Sequence, residues 1–596
     1  MMRTKLSLMS WKASLLLLAL MLVAALPTAV GAQPPRPDGI ESVAPTYATQ
    51  GDTNGLVTVT LVEAIAPPSW VNPLSARIGT LEGSAIHRDE LVITAVFDIS
   101  TDEPAGVKDV ATEFPAPRGT VVFTKPDAFE IRADATQTVG LFVNEEGSYN
   151  GYTLFAPLQY RTTYLIDNAG RLVQSWDSAY TPGNSVYLLE NGNLLRTATL
   201  PRGPNSKFGA GGAGGRVEEF TWDGTLVWEF EYSSDQHLQH HDIERLPNGN
   251  VLMIAWAHKT AAEAVAAGRD PDLLADGELW PDHIIEVEPT GAAGGNIVWE
   301  WHVWDHLIQD FDPTKDNYGV VADHPELIDL NFDGASRGQA DWNHINSVDY
   351  NAQFDQILLS VPRFSEVWVI DHSTTTEEAA GHSGGNSGKG GDVLYRWGNP
   401  QAYRAGDAVD RKLFSQHDAQ WIESGLPGEG NILVFNNGNG RPGGAYSSVD
   451  EFVPPVDASG NYTLTPGTAY GPEEQVWIYI AETPTDFLAG HISGAQRLPN
   501  GNTLICDGPH GTFFEVTSEG EVVWKYVNPV TGQGPLTQGD PVSTGQQGQT
   551  NQVFRTYRYG PDYAGLADKD LTPGDPIELY PDSQVTVYLP MIFKQI

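Results

Sequence analysis

The feature that most constrains this chain is an internal repeat. A hairpin ending in an apolar-aromatic strand occurs as 163-TYLIDNAGRLVQSW-176 and 217-VEEFTWDGTLVWEF-230. It recurs as 283-HIIEVEPTGAAGGNIVWEW-301 and 513-FFEVTSEGEVVWKY-526, with looser copies ending in 392-DVLYRW-397 and 475-QVWIY-479. A second unit is a strand, a Gly-Asn turn and an apolar strand, as in 186-VYLLENGNLLRTA-198, 241-HDIERLPNGNVLMIA-255 and 491-HISGAQRLPNGNTLICD-507. Variants lie at 344–361 and 417–435. Asn-Gly turns supply the positive φ angles that tight hairpins require. The two units alternate, so each pair provides four antiparallel strands, the content of one propeller blade. Five blades are complete, and the hairpin at 163–176 lacks its first pair. A sixth blade is therefore expected, closed by 152-YTLF-155 and a late strand near 552-QVFRTYRY-559. Closing a ring with strands from both ends removes free sheet edges. The expected fold is all-β, a six-bladed β-propeller over residues 151–565. Solenoid turns or separate sandwiches are the alternatives, but solenoids favour more uniform repeats.

Composition agrees with many short strands: 62 Gly and 41 Pro punctuate a chain that is 40% hydrophobic. Ahead of the repeat, 56-LVTVTLVEA-64, 91-LVITAVFDIS-100 and 120-TVVFT-124 alternate with period 2. They predict a small N-terminal β-sandwich over 55–150, preceded by a linker at 33–54 rich in Pro, Gly and Thr. Residues 566–596 read as a C-terminal tail. At the start, Arg3, Lys5 and Lys12 precede an apolar run from Ala13 to Leu26 and a small-residue site at Val30-Gly31-Ala32. That pattern is a signal peptide over 1–32, with a retained anchor as the alternative. The mature chain is then exported, periplasmic or extracellular, with no membrane span. The formal net charge of −42 repels phosphate backbones and excludes nucleic acid as a partner. The single cysteine, Cys506, excludes an intramolecular disulfide and a thiolate metal cluster.

Of 15 histidines, 14 lie between His237 and His510. Four hold the same repeat position, at the start of the first strand of a blade: His241, His344, His417 and His491. Inner strands line the central channel, so these positions point to one axial site. For one such residue a structural tie between blades is the simpler account; for the set, a functional cluster is favoured. Arg363 follows in 361-VPRFSEVWVID-371, and Asn346, two residues beyond His344, is expected on the same strand face as that histidine. Imidazoles, a guanidinium and an amide are donors suited to a small tetrahedral oxyanion.

In these motifs the chain resembles the bacterial aryl-sulfate sulfotransferases that work without 3′-phosphoadenosine-5′-phosphosulfate. The resemblance runs from the N-terminal β domain through the propeller. Its most specific parts are 240-HHDIERLPNGN-250, 341-DWNHINSVDYN-351, 361-VPRFSEVWVID-371 and 415-SQHDAQW-421. It implies an enzyme that moves a sulfuryl group from a donor aryl sulfate to a phenolic acceptor, ping-pong, through a sulfohistidine. By motif and order it implies His417 as nucleophile, with His241, His344, Asn346 and Arg363 binding the sulfuryl and phenolic oxygens. The partners it implies are small aryl sulfates and phenols; a homodimer is compatible with this reading. The best-known members carry a disulfide near the active site, which one cysteine cannot form. Residue 240 is also histidine, so either His240 or His241 could face the channel; the register of the other blades favours His241.

No cofactor is expected. The stretch 329-DLNFDG-334 fits the first half of a calcium loop, but Ala340 stands at the twelfth position where a bidentate Glu belongs. A turn of Asp and Asn is the simpler account. Two rival functions are a non-catalytic extracellular propeller that binds glycan or protein, and a quinone-dependent dehydrogenase. The convergent histidine-arginine set argues against the first, and the lack of a strong cofactor signature against the second.

Overall fold

The computed structural model describes residues 39–581, apart from 102, 118, 133–135, 202–206 and 546–547. The expected signal peptide lies outside the described residues. No helix among them is long and apolar enough to cross a membrane. The chain divides into two compact units, with the boundary between Asp134 and Ala135.

The first unit is two β-sheets sharing one core. A four-stranded sheet contains Ile40–Ala44, Gly55–Leu61, Val92–Phe97 and Ser84–Asp89. A five-stranded sheet contains Tyr47–Thr49, Gly119–Arg132, Gly106–Ala116, Ser75–Ile78 and Leu81–Glu82. Alternate residues such as Val57, Val59, Ile93 and Ala95 from one sheet meet Ile78, Val110, Phe114 and Phe129 from the other. The expected linker at 33–54 is thus corrected. Ile40–Ala44 and Tyr47–Thr49 are strands, and Ile40 and Val43 are buried. These runs are too short, and too interrupted by Pro45 and Gly51, to show a period.

The second unit contains six sheets of the repeat type. In order of their inner strands these begin at Pro182–Leu188 (blade 1), His237–Arg245 (blade 2) and Ser347–Asn351 (blade 3). His417–Trp421 (blade 4), Gly494–Arg497 (blade 5) and Val553–Tyr559 (blade 6) complete them. Neighbouring inner strands touch in this order, and blade 6 touches blade 1. Blade 6 joins both ends of the unit: Tyr152 lies opposite Tyr559 and Phe155 opposite Thr556. Blade 5 takes a fifth strand, Gly140–Asn144, which pairs with Val522–Val527. That pairing moves the boundary from the expected 150/151 back to 134/135. The described part of the expected tail also packs here, burying Leu566 and Ile577.

Two polar contacts explain why the repeat looks as it does. The first involves the tryptophan of each outer strand, whose Nε1 donates to a carbonyl in the neighbouring blade. Trp176 reaches Thr221 (3.0 Å), Trp228 Gly294 (2.9 Å), Trp301 Gly391 (2.7 Å) and Trp397 Pro472 (2.8 Å). Trp477 reaches Ser518 (2.9 Å), and Trp524 returns to Asn168 in blade 6 (2.9 Å). An apolar ring with one polar edge fills the joint and satisfies a turn carbonyl at once. The second contact involves the asparagine after the turn glycine. Asn193, Asn250, Asn431 and Asn502 donate Nδ2 to Glu219, Glu286, Glu451 and Glu515 on the third strands, at 2.6–2.7 Å.

Replacing Trp524 by Phe keeps the ring and leaves the Asn168 carbonyl without its donor. The expected loss is about 1–3 kcal/mol, read from urea unfolding. No loss would mean that the joint is held by shape alone.

Candidate active site

The channel-facing residues owe their placement to breaks in the inner strands. His241 and His344 have left-handed backbones, φ 52° and 57°. Ser415 and Asp418 flank His417 with φ 59° and 54°. Register shifts accompany them, between Gln239 and Ile243 and between His417 and Gln420. Each left-handed non-glycine residue costs on the order of 1–3 kcal/mol, a strain typical of sites where a side chain is re-aimed. The break splits a dipeptide. His241 and His417 turn to the site, while Asp242 and Asp418, the next residues, each form an ion pair with Nη1 of Arg555 at 2.9 Å.

His241 and His344 pack with ring centroids 4.6 Å apart. Phe554 lies 6.0 Å from the His241 ring and 6.4 Å from His417, bridging them. His344 Nδ1 meets Asp341 Oδ2 at 2.5 Å, and Arg363 Nη2 donates to the same oxygen at 3.4 Å. Burial works to raise the Asp341 carboxyl, but His344 and Arg363 outweigh it and hold it down at about 2. An ionised carboxylate only accepts, so His344 carries its hydrogen on Nδ1 and presents Nε2.

The orientation of His417 follows from Asn437. Nδ2 of Asn437 donates to the carbonyls of Ala489 (2.7 Å) and Ile492 (2.9 Å). Its Oδ1 must therefore be the atom 2.8 Å from His417 Nδ1, which donates to it. The Nε2 lone pair of His417 is left bare. Burial drives the His417 imidazole down to about 3, so it is neutral at physiological pH.

His240 is fully buried, stacked on Trp256 at 3.9 Å, with Nε2 2.9 Å from Asp282 Oδ1. Its Nδ1 faces His241 Nδ1 at 2.8 Å. His241 is therefore the ring beside His344, and His240 the one behind it. Burial raises Asp282 well above the usual carboxylate range and pushes both histidines down. A proton on Asp282 gives a chain in which His241 Nε2 carries hydrogen. When that hydrogen leaves, His241 takes one from His240, and His240 takes one from Asp282. A glycine-rich loop closes this side: a Cβ on Gly212 would sit 2.1 Å from the His241 ring.

Asn346 does not share a face with His344, because His344 is left-handed and precedes the strand Ser347–Asn351. Its Nδ2 donates to Gln416 O at 2.9 Å, tying blade 3 to the residue before His417. His491 is exposed and depresses His417 electrostatically, so it lies at the edge of the cluster. In the calcium-like stretch the side chains turn to separate partners: Asp329 to Arg404 (2.8 Å), Asn331 to Gly268 (2.9 Å) and Asp333 to Ser336 (2.7 Å). A cavity of about 850 Å³ lies toward the other ends of the inner strands. Arg555, Asp418, Glu244, Asp349 and Tyr557 line it, and none of His241, His344 and His417 does.

A family model described as arylsulfotransferase (ASST) matches residues 142–533. The chain belongs to the arylsulfotransferase family. A curated relative, arylsulfate sulfotransferase AssT of Escherichia coli O6:H1, is 23% identical over 403 residues, which cover 59% of this chain. The match spans 58% of that relative's length. Among solved structures, a protein of unknown function from Bacteroides caccae has a TM-score of 0.35 at 13% identity, covering 64% of this chain and 94% of that one. A virginiamycin B lyase from Staphylococcus aureus has a TM-score of 0.30 at 8% identity, covering 65% and 88%. Within this member of the family, sequence reasoning singled out neither Asp341, Asn437, Asp282 nor Arg555. The repeated His-Asp dipeptide at 241–242 and 417–418 was the signal available for Arg555's partners.

Replacing Arg555 by Met leaves Asp242 and Asp418 buried without a countercharge, a loss of about 3–5 kcal/mol. With Arg555 present, burial already raises Asp418 to about 6. A carboxyl raised in the folded state stabilises below its unfolded value and loses that contribution as pH rises through the folded value. The variant's deficit should therefore be smaller at pH 5 than at pH 8 in paired unfolding curves. An equal deficit at both would contradict the assignment.

Proposed function

We propose that the protein moves a sulfuryl group from an aryl sulfate to a phenolic acceptor through a sulfohistidine at His417. The observation that carries this reading is the Asn437 amide, whose two carbonyl contacts leave His417 Nε2 as a neutral, bare nucleophile. In the first half-reaction the N–S bond forms on Nε2 as the sulfur–aryl-oxygen bond breaks. The departing phenolate takes the hydrogen of His241 Nε2, replaced from Asp282 through His240. In the second, the acceptor phenol returns that proton, its oxygen takes the sulfur, and His417 recovers its lone pair. Sulfuryl transfer, like phosphoryl transfer, is treated as loose and in line, so positioning and charge stabilisation dominate. Arg363, held by Asp341, supplies donors for the equatorial oxygens, and His344, fixed on the same carboxylate, positions the group. Asn346 acts as a positioning residue behind His417. Export belongs to the same proposal and rests on the apolar run at 13–26.

The test is release of 4-nitrophenol from 4-nitrophenyl sulfate with and without added phenol. Acceptor-dependent release without a nucleotide is expected. Release that ignores phenol would indicate a hydrolase, and no release a binding propeller. His417→Ala should abolish turnover and the donor-induced mass gain of one sulfuryl group. Arg363→Ala should lose roughly 10²–10³-fold while still forming the adduct. An adduct mapped to His241 or His344 by peptide mass spectrometry would overturn the assignment.

Because burial holds His417 down at about 3, the nucleophile stays deprotonated well into acid. Single-turnover adduct formation should hold between pH 8 and 5. An ordinary imidazole would instead lose about tenfold per pH unit below about 6.5, and that profile would contradict the buried, neutral nucleophile.

A further inference from the structure

Blades 2 and 3 meet at their outer strands, and a second histidine cluster lies there, remote in sequence from the channel residues. His306 closes the 3-10 turn Val303–Asp305 that follows the outer strand of blade 2, Gly295–His302. His382 and Asp392 come from blade 3, in the long connection between Glu366–Asp371 and Tyr395–Trp397. His306 and Asp392 are buried, whereas His382 is exposed. Asp392 Oδ1 lies 3.0 Å from His306 Nδ1 and 2.7 Å from His382 Nδ1. The three ligand atoms all fall within 4.8 Å of one another.

The hydrogen bonding of His306 sets the chemistry of this cluster. Nε2 lies 2.8 Å from the carbonyl oxygen of Ala379, which can only accept, so Nε2 carries the hydrogen. In the neutral ring Nδ1 is then a bare lone pair, and it points at a carboxylate oxygen in a buried site. Two acceptors facing each other at that distance need a cation between them or a further proton, on the ring or on the carboxyl. An imidazole that donates one nitrogen to a backbone carbonyl and aims the other at a carboxylate-lined gap has the outer contact usual for a metal-bound histidine.

The surroundings are built around that ring. Trp301 stacks on His306, centroids 5.7 Å apart and planes within 10°, and donates to the carbonyl of Gly391 at 2.7 Å. A Cβ on Gly391 would lie 2.0 Å from the Ala379 oxygen and 2.7 Å from His306 Nε2. Glycine is what lets the chain pass here and deliver Asp392. We propose that His306 Nδ1, His382 and Asp392 form a zinc site that clips the blade 3 connection to blade 2. Two imidazole nitrogens and one carboxylate oxygen suit zinc, with water from the His382 side as fourth ligand. At bond lengths of about 2.0–2.1 Å a tetrahedral edge is about 3.3 Å. The Asp392 contacts therefore open by a few tenths of an ångström, and the solvent-exposed His382 side chain swings in. The site is separate from the proposed sulfuryl-transfer machinery and makes no use of it.

The test uses untagged full-length protein, stripped with a chelator, dialysed and titrated with zinc alone. One zinc per chain by elemental analysis is expected, with a rise in melting temperature on loading. Cobalt in place of zinc should give the visible absorption of a tetrahedral site. His382→Ala and Asp392→Asn should each lose the bound metal and the thermal shift, while 4-nitrophenyl sulfate turnover in His382→Ala stays at the wild-type level. His302→Ala, on the same outer strand but outside the cluster, should bind as wild type. Absence of stoichiometric zinc in the wild type, or retention of it in both cluster variants, would overturn the proposal. The contact would then be held by a proton shared between His306 and Asp392.

Discussion

Arg555 is the side chain on which the centre of the propeller depends. It comes from the closing strand, yet its guanidinium reaches Asp242 of blade 2, Asp418 of blade 4 and the carbonyl of Asn346 before blade 3. A charge this deeply buried is tolerable only when it is paired and hydrogen-bonded on most sides. The two aspartates meet that need, and they can do so only if the backbone turns left-handed at the His-Asp steps. The same turn that brings each carboxylate to Arg555 sends the preceding histidine to the opposite side. Axial charge neutralisation and the placement of His241 and His417 are one geometric event.

The histidines are then tuned by what lies behind each ring. Asn437 orients His417, Asp341 orients His344 and restrains Arg363, and Asp282 acts on His241 through His240. These partners differ in charge for a physical reason. A neutral amide behind His417 leaves burial unopposed, so the ring stays unprotonated and nucleophilic. An ionised carboxylate behind His344 holds hydrogen on Nδ1 and keeps Arg363 in register beside it. A carboxyl that burial raises well above the usual range behind His240 suits a proton source better than a fixed charge. One kind of side chain thus takes three different parts within a few ångströms.

Blade cohesion rests on repeated polar ties inside an apolar frame. The outer-strand tryptophans and the asparagine–glutamate pairs each satisfy a group that would otherwise be buried without a partner. They account for the conspicuous Trp and Asn-Gly-Asn spacing better than turn preference alone. The first asparagine of the turn accepts from the backbone amide two residues on, and the second donates to a glutamate on the third strand.

The sequence by itself determined the architecture, because hairpins, Gly-Asn turns and outer-strand tryptophans are local signals that recur along the chain. It also determined which blades carry His241, His344, His417 and Arg363, since those positions are read by counting along the repeat. It could not reach Ile40–Ala44, which is too short to show a period, or the place of Gly140–Asn144, whose partner Val522–Val527 lies far along the chain. It misplaced Asn346, because period-2 alternation fails where a residue adopts positive φ, as His344 does just ahead of the strand. Asp341, Asn437 and Asp282 stayed invisible. Their roles are defined by hydrogen bonds across the strand breaks and blade junctions, and only the closed ring decides which ring nitrogen each of them holds.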